Sequence, residues 1–198
     1  MRGKPVKTVA IMACALALAG CGGLLPRPPV DRVVRHDFGP TPRYRAHGIP
    51  STAVWVTSVP WLAGTGIHYR LLYQDPTAVH SYASNRWLAP PAELLAARVH
   101  ARLGGMAQPA TGTRLRLRVT ILRFAQDFRS PHHAIAHMEL EARLVRLSNG
   151  TVVARHIINI VVPCDADIQG AVAGLSQAAR RAVGDLAAFV SAQTKGRD

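Results

Sequence analysis

The sequence predicts an α+β fold: a single domain with a mainly antiparallel sheet of about six strands and two helices packed on one face. Three observations carry this prediction. Arg114 to Arg123 alternates, with Leu115, Leu117, Val119 and Ile121 set against Arg114, Arg116, Arg118 and Thr120. One face of that strand is core and the other is wet and positive. Ser148-Asn149-Gly150 is a hairpin turn between two further alternating runs, Ala134 to Leu147 and Thr151 to Val162. Two other stretches repeat apolar residues at helical spacing: Leu94, Leu95, Val99 and Leu103, then Ile168, Val172, Leu175, Ala179, Val183, Leu186 and Val190.

The remaining elements follow in order. Val30 to Phe38 makes a first strand, closed by Gly39-Pro40. Ala53 to Thr57 is rich in β-formers, and Pro60 ends it. Gly64-Thr65-Gly66 is a turn, and Ile67 to Tyr73 is the third strand. Pro90-Pro91 opens the first helix, because proline suits a first turn, and Gly104-Gly105 ends it. Pro163 is expected to end the last strand, with Asp165 or Asp167 capping the last helix. The expected order is three strands, helix, three strands, helix.

The N-terminus addresses the compartment. Arg2, Lys4 and Lys7 precede an apolar run, Thr8 to Ala17, that is too short for a stable membrane span. Leu18-Ala19-Gly20-Cys21 then resembles a bacterial lipobox, in which the cysteine is acylated and becomes the mature N-terminus. Gly22, rather than Asp, follows it; by resemblance to enterobacterial lipoproteins this favours the outer membrane. Residues 1–20 are thus expected to be a signal peptide. Residues 21–30 are a lipidated Cys21 and a Gly/Pro tether, and residues 31–198 are the domain.

Cleavage changes the charge. The 198-residue chain has 24 Lys and Arg against 11 Asp and Glu, a formal +13. Losing three basic residues and no acidic one leaves +10 on the remaining 178 residues. Export argues against nucleic acid as partner and leaves anionic headgroups or acidic proteins to attract that charge. Cys164 is left without an intramolecular partner and is expected to pack as a small apolar residue.

Few residues offer chemistry. His133 and His137, on one face of a strand, stand about 13 Å apart, too far to share one metal ion. Glu139 and Glu141 could mimic a catalytic pair, but pairing with the Arg-rich strand is the better account if the two strands are neighbours. No nucleophile, phosphate-loop or zinc motif accompanies them. No cofactor and no metal are expected. Arg114, Arg116 and Arg118 are candidates for binding an anionic surface, or simply form a solvated face. The long segment after the third strand is too aromatic for a mere linker. Its Tyr and Trp residues could form an interaction surface or cap the core beneath the helix start.

Ile67-His68-Tyr69-Arg70, Tyr82, Asn85-Arg86-Trp87, Pro90-Pro91 and Leu94-Leu95 resemble the PqiC-type ABC-transport auxiliary lipoproteins. The Leu115-x-Leu117-x-Val119 strand, Phe124-x-x-x-Phe128 and the closing helix also fit, so the resemblance spans roughly Val30 to Val190. Phe189 stands where a Trp is expected near the end of that helix, and the first strand matches weakly. The resemblance implies a non-enzymatic outer-membrane partner of an MCE-protein lipid transporter. Its partners would be an MCE-domain protein and ABC or permease components, and a homo-oligomer is compatible with it. Tyr69, Arg70, Tyr82, Arg86 and Trp87 become candidates for a structural or docking surface. The alternatives are a structural lipoprotein that binds anionic envelope surfaces through the Arg stripe, or a periplasmic hydrolase.

Overall fold

The computed structural model describes residues 32–41, 53–103 and 115–195. Cys21, the tether and Arg114 lie outside them. Four strands come first: β1 (Val34–His36), β2 (Ala53–Ser58), β3 (Gly66–Leu71) and β4 (His80–Trp87). Helix α1 (Pro91–Leu103) follows, then β5 (Leu115–Ser130), β6 (His133–Arg146), β7 (Val152–Cys164) and helix α2 (Ile168–Lys195). A 3-10 turn, Pro60–Leu62, links β2 to β3.

The expected α+β fold is present, with seven strands in one sheet rather than six. The order is β1-β4-β3-β5-β6-β7, and β2 also pairs with β5. β5 is the spine. β6 runs antiparallel along one of its edges, and β7 runs antiparallel to β6. On the other edge β2 covers Arg116 to Ile121 and β3 covers Gln126 to Phe128, both parallel to β5. β1 is parallel to β4. The sheet is therefore mixed, with its longest pairings, β5–β6 and β6–β7, antiparallel as expected. A short 3-10 step between β2 and β3 keeps both running in the direction of β5, where a hairpin would have reversed one of them.

Three elements differ from expectation for local reasons. β4 occupies the segment that looked like an aromatic connection. The β3–β4 register shifts between Gly66 and His68, so β4 shows no clean two-residue period. β5 runs seven residues past Arg123, because a register shift between Ile121 and Arg123 flips its alternation. Phe124, Gln126 and Phe128 then face the helices in place of the odd-numbered positions. β7 continues through Pro163 to Cys164, since a residue without an N–H is tolerated on an edge strand.

The core lies between the sheet and the helices. Trp87, Phe38 and Phe124 form its aromatic centre, with ring centroids 5.2–5.6 Å apart. Leu95 and Val99 of α1 and Leu175, Val183, Leu186 and Val190 of α2 press on Leu117, Val119, Met138 and Leu140. The start of α2 is set by Asp167, whose Oδ1 accepts a hydrogen bond from the Gly170 N–H at 2.6 Å.

Candidate functional site

The register of β3, β5, β6 and β7 divides the candidate residues between the two faces of the sheet. On the helix side, Tyr69 stacks on His80 at 5.1 Å, tilts against Tyr82 at 4.9 Å and meets Phe128 edge-on at 5.9 Å. The Tyr82 hydroxyl donates to Gln126 Oε1 at 2.6 Å, and burial pushes that phenol up to about 12. Gln126 is fully buried, and its Nε2 donates to the Asp165 carbonyl at 2.7 Å and the Asp167 carbonyl at 3.2 Å. Tyr82 and Gln126 thus tie the sheet to the turn before α2. Cys164 packs beside them, 3.6 Å from the same Nε2, and burial raises its thiol pKa.

Of the aromatic and arginine candidates, Trp87 is fully buried and takes the structural role. Arg86 donates to the backbone carbonyls of Tyr82 and Asn85. Arg70 lies on the far face, beside Asp127 in register. Its guanidinium sits 5.5 Å over the Trp61 ring and donates to the Pro76 carbonyl at 3.1 Å. Trp61 in turn meets His68 edge-on at 5.6 Å.

The far face carries two further polar groups. Asp127 is buried there. Its Oδ2 accepts hydrogen bonds from Arg123 at 2.7 Å and engages His137 Nδ1 at 3.1 Å. His137 Nε2 meets Asn159 Oδ1 at 2.9 Å. His137 is thus spent in a hydrogen-bond chain, away from His133. Among the described residues no group of three or more His, Cys, Asp or Glu is placed to hold a metal ion.

Nearer the start of β5, Trp55, Thr57, Arg116, Arg118, Thr120, Glu141 and Arg143 line a cleft of about 570 Å³. β2, β5 and β6 lie side by side there, which brings Trp55 opposite Arg118 and Arg118 opposite Arg143. Glu141 accepts from Arg143 at 2.7 and 2.8 Å and also from Arg155 of β7. Hydrogen bonds from Arg143 hold its carboxyl below the usual carboxylate range. The expected pairing of the two glutamates with the Arg-rich strand is therefore not what forms: Glu141 finds its arginines on its own strand and on β7. Glu139 stands opposite Arg123, whose ion pair goes to Asp127.

Trp55, Arg143, Arg155, Asp127 and Gln126 were not singled out by sequence. Trp55 had a visible signal, a large aromatic in a short β-rich run. Asp127 and Gln126 had none, because they follow the flip in β5.

The comparisons with known proteins agree with this fold. A crystal structure of a protein from Xanthomonas campestris superposes with a TM-score of 0.63 at 18% identity, covering 83% of this chain and all of that one. An uncharacterised protein superposes with a TM-score of 0.55 at 18% identity, covering 76% of this chain and 99% of that one. A search of curated proteins finds no match. The family model for the ABC-type transport auxiliary lipoprotein component matches residues 44–187, and the chain belongs to that family.

Proposed function

We propose that this chain is a lipid-anchored accessory of an MCE-type ABC transport system. It docks, or completes, a lipid-transport path between the inner and outer membranes. Membership of the auxiliary-lipoprotein family over residues 44–187 carries this reading. The Leu18-Ala19-Gly20-Cys21 motif supports it, with Cys21 acylated, residues 1–20 removed and residues 21–30 as tether. Among the described residues no helix is long and apolar enough to cross a membrane, which accords with attachment through a lipid. The domain would sit at the outer membrane and face the periplasm.

The role is non-enzymatic. Glu141 is bound by Arg143 and Arg155, which hold it as a paired carboxylate rather than an acid or base. Of Tyr69, Arg70, Tyr82, Arg86 and Trp87, the far-face Arg70 belongs to the docking region, while Tyr69 and Tyr82 on the helix side and the buried Trp87 take structural roles. Arg70 over Trp61 is the accessible part of that region, and Arg and Trp are common anchors at interfaces.

Affinity purification of the full chain from detergent-solubilised envelopes is expected to recover an MCE-domain protein. Recovery of no envelope partner overturns the transport reading. Cys21→Ser is expected to leave an unprocessed or soluble form. Full retention of that variant in the outer-membrane fraction overturns the anchor.

A further inference from the structure

We propose that the cleft between β2, β5 and β6 is a binding site for the phosphate headgroup of an anionic phospholipid. Four features of the cleft point there.

First, its arginines are unequally committed. Arg143 and Arg155 are held by Glu141, whereas Arg116 and Arg118 have no carboxylate partner among the described residues. An arginine fork matches two phosphate oxygens and binds them bidentately. Two uncommitted forks on alternate positions of one strand point to the same side, about 7 Å apart. That spacing lets both reach one phosphate.

Second, hydroxyls stand beside them. Thr57 Oγ1 and Thr120 Oγ1 are 3.4 Å apart on neighbouring strands. Thr57 Oγ1 donates to the Val119 carbonyl at 3.4 Å, which leaves the Thr120 O–H for a phosphate oxygen.

Third, Glu141 does not repel an anion on balance. Its charge is met by two arginines, and the cleft lining retains three arginines against one carboxylate. A carboxylate has about four acceptor sites, so Glu141 keeps capacity for a headgroup hydroxyl. Phosphate plus hydroxyl is the chemistry of a glycerol headgroup.

Fourth, size and edge favour a lipid headgroup over a free phosphate. A volume near 570 Å³ is in the range of small-molecule sites and far exceeds one phosphate. Trp55 is 61% exposed along one side of the cleft. An indole there suits a boundary between a polar headgroup and an apolar chain. The groups stand on paired strands, which hold them more rigidly than loops would.

This inference does not depend on the docking reading, since co-purification can fail while headgroup binding holds, and the reverse. The test uses the full chain in neutral detergent, titrated with dihexanoyl-phosphatidylglycerol, dihexanoyl-phosphatidylcholine and inorganic phosphate. Saturable binding of the phosphatidylglycerol in preference to the other two is expected. Arg116→Gln with Arg118→Gln is expected to weaken it about tenfold or more. Arg129→Gln with Arg181→Gln, two exposed arginines elsewhere, is expected to leave it unchanged. Thr120→Val, near-isosteric, is expected to weaken binding as well and serves if the arginine variant does not fold. The proposal is overturned if phosphatidylcholine binds equally well or if the Arg129 and Arg181 variant loses as much affinity. Inorganic phosphate binding as tightly as the lipid also overturns it, because the ligand would then be a free anion.

Discussion

Asp127 is a carboxylate buried on a sheet face that sequence alone assigns to solvent. Burial by itself would raise its pKa. Hydrogen bonds from His137 and Arg123 outweigh burial and hold it below the ordinary 3.8. The sign of the stability effect follows. A carboxyl whose folded pKa lies below its unfolded value contributes stability that is fully present above the unfolded pKa. That contribution is lost as pH falls through the folded value. Asp127→Asn keeps the shape and removes the charge that Arg123 faces. It is expected to lower stability at pH 7 by about 1–3 kcal/mol, less than a fully buried pair because Arg123 is partly solvated. The deficit should shrink as pH falls below the unfolded-state carboxyl's pKa and towards the lower folded one. Urea denaturation at pH 7 and pH 3 measures both, and an equal loss at the two pH values would show that the ion pair is not the cause.

At the scale of elements, the boundary between what was and was not legible lies at the irregularities. α1, α2 and the first half of β5 repeat their apolar residues at an unbroken period, so Leu95, Leu117 and Leu175 could be assigned to the core from sequence. β4 and the second half of β5 follow register shifts. A shift moves every later side chain to the other face, and a pattern counted from one end then fails. The same shift explains the site: Arg116 and Arg118 were legible because they precede it, while Gln126 and Asp127 follow it. Parallel pairing was hidden for another reason, since partners distant in sequence leave no local signature. Sequence also does not distinguish two glycines in α2 whose surroundings are opposite. A Cβ on Gly174 would stand 2.8 Å from Ala136 Cβ and 3.0 Å from Cys164 Cβ, where the helix crosses β6 and β7. A Cβ on Gly184 would meet nothing within 4 Å. Gly174→Ala is expected to destabilise by about 1–2 kcal/mol through overpacking, despite the better helix propensity of alanine. Gly184→Ala should stabilise by about 0.5–1 kcal/mol. Thermal melts of the two variants read the signs directly, and a stabilised Gly174→Ala would mean that α2 does not approach the sheet so closely.

For the whole molecule, the arrangement of strands dictates where stability resides. β5 is paired with β6 along nearly its full length, and its other edge is taken by β2 and then β3. Val59 extends that cover by donating its N–H to the Ile121 carbonyl at 3.0 Å. β7, by contrast, pairs on one side only, and β1 is a three-residue edge. Local opening follows the least-buried, least-paired elements, while residues paired on both edges exchange only through global unfolding. The functional consequence concerns the cleft. Arg116, Arg118 and Thr120 stand on β5, the strand that opens last, so the site stays preorganised while the periphery fluctuates. Hydrogen exchange followed by mass spectrometry is expected to show slowest exchange in β5 and in the middle of β6. Outward-facing amides of β7 should exchange sooner, and β1 first. If peptides spanning Arg116 to Ile121 exchange as fast as those of β1, β5 is not the rigid spine and the cleft is not held in place before its ligand arrives.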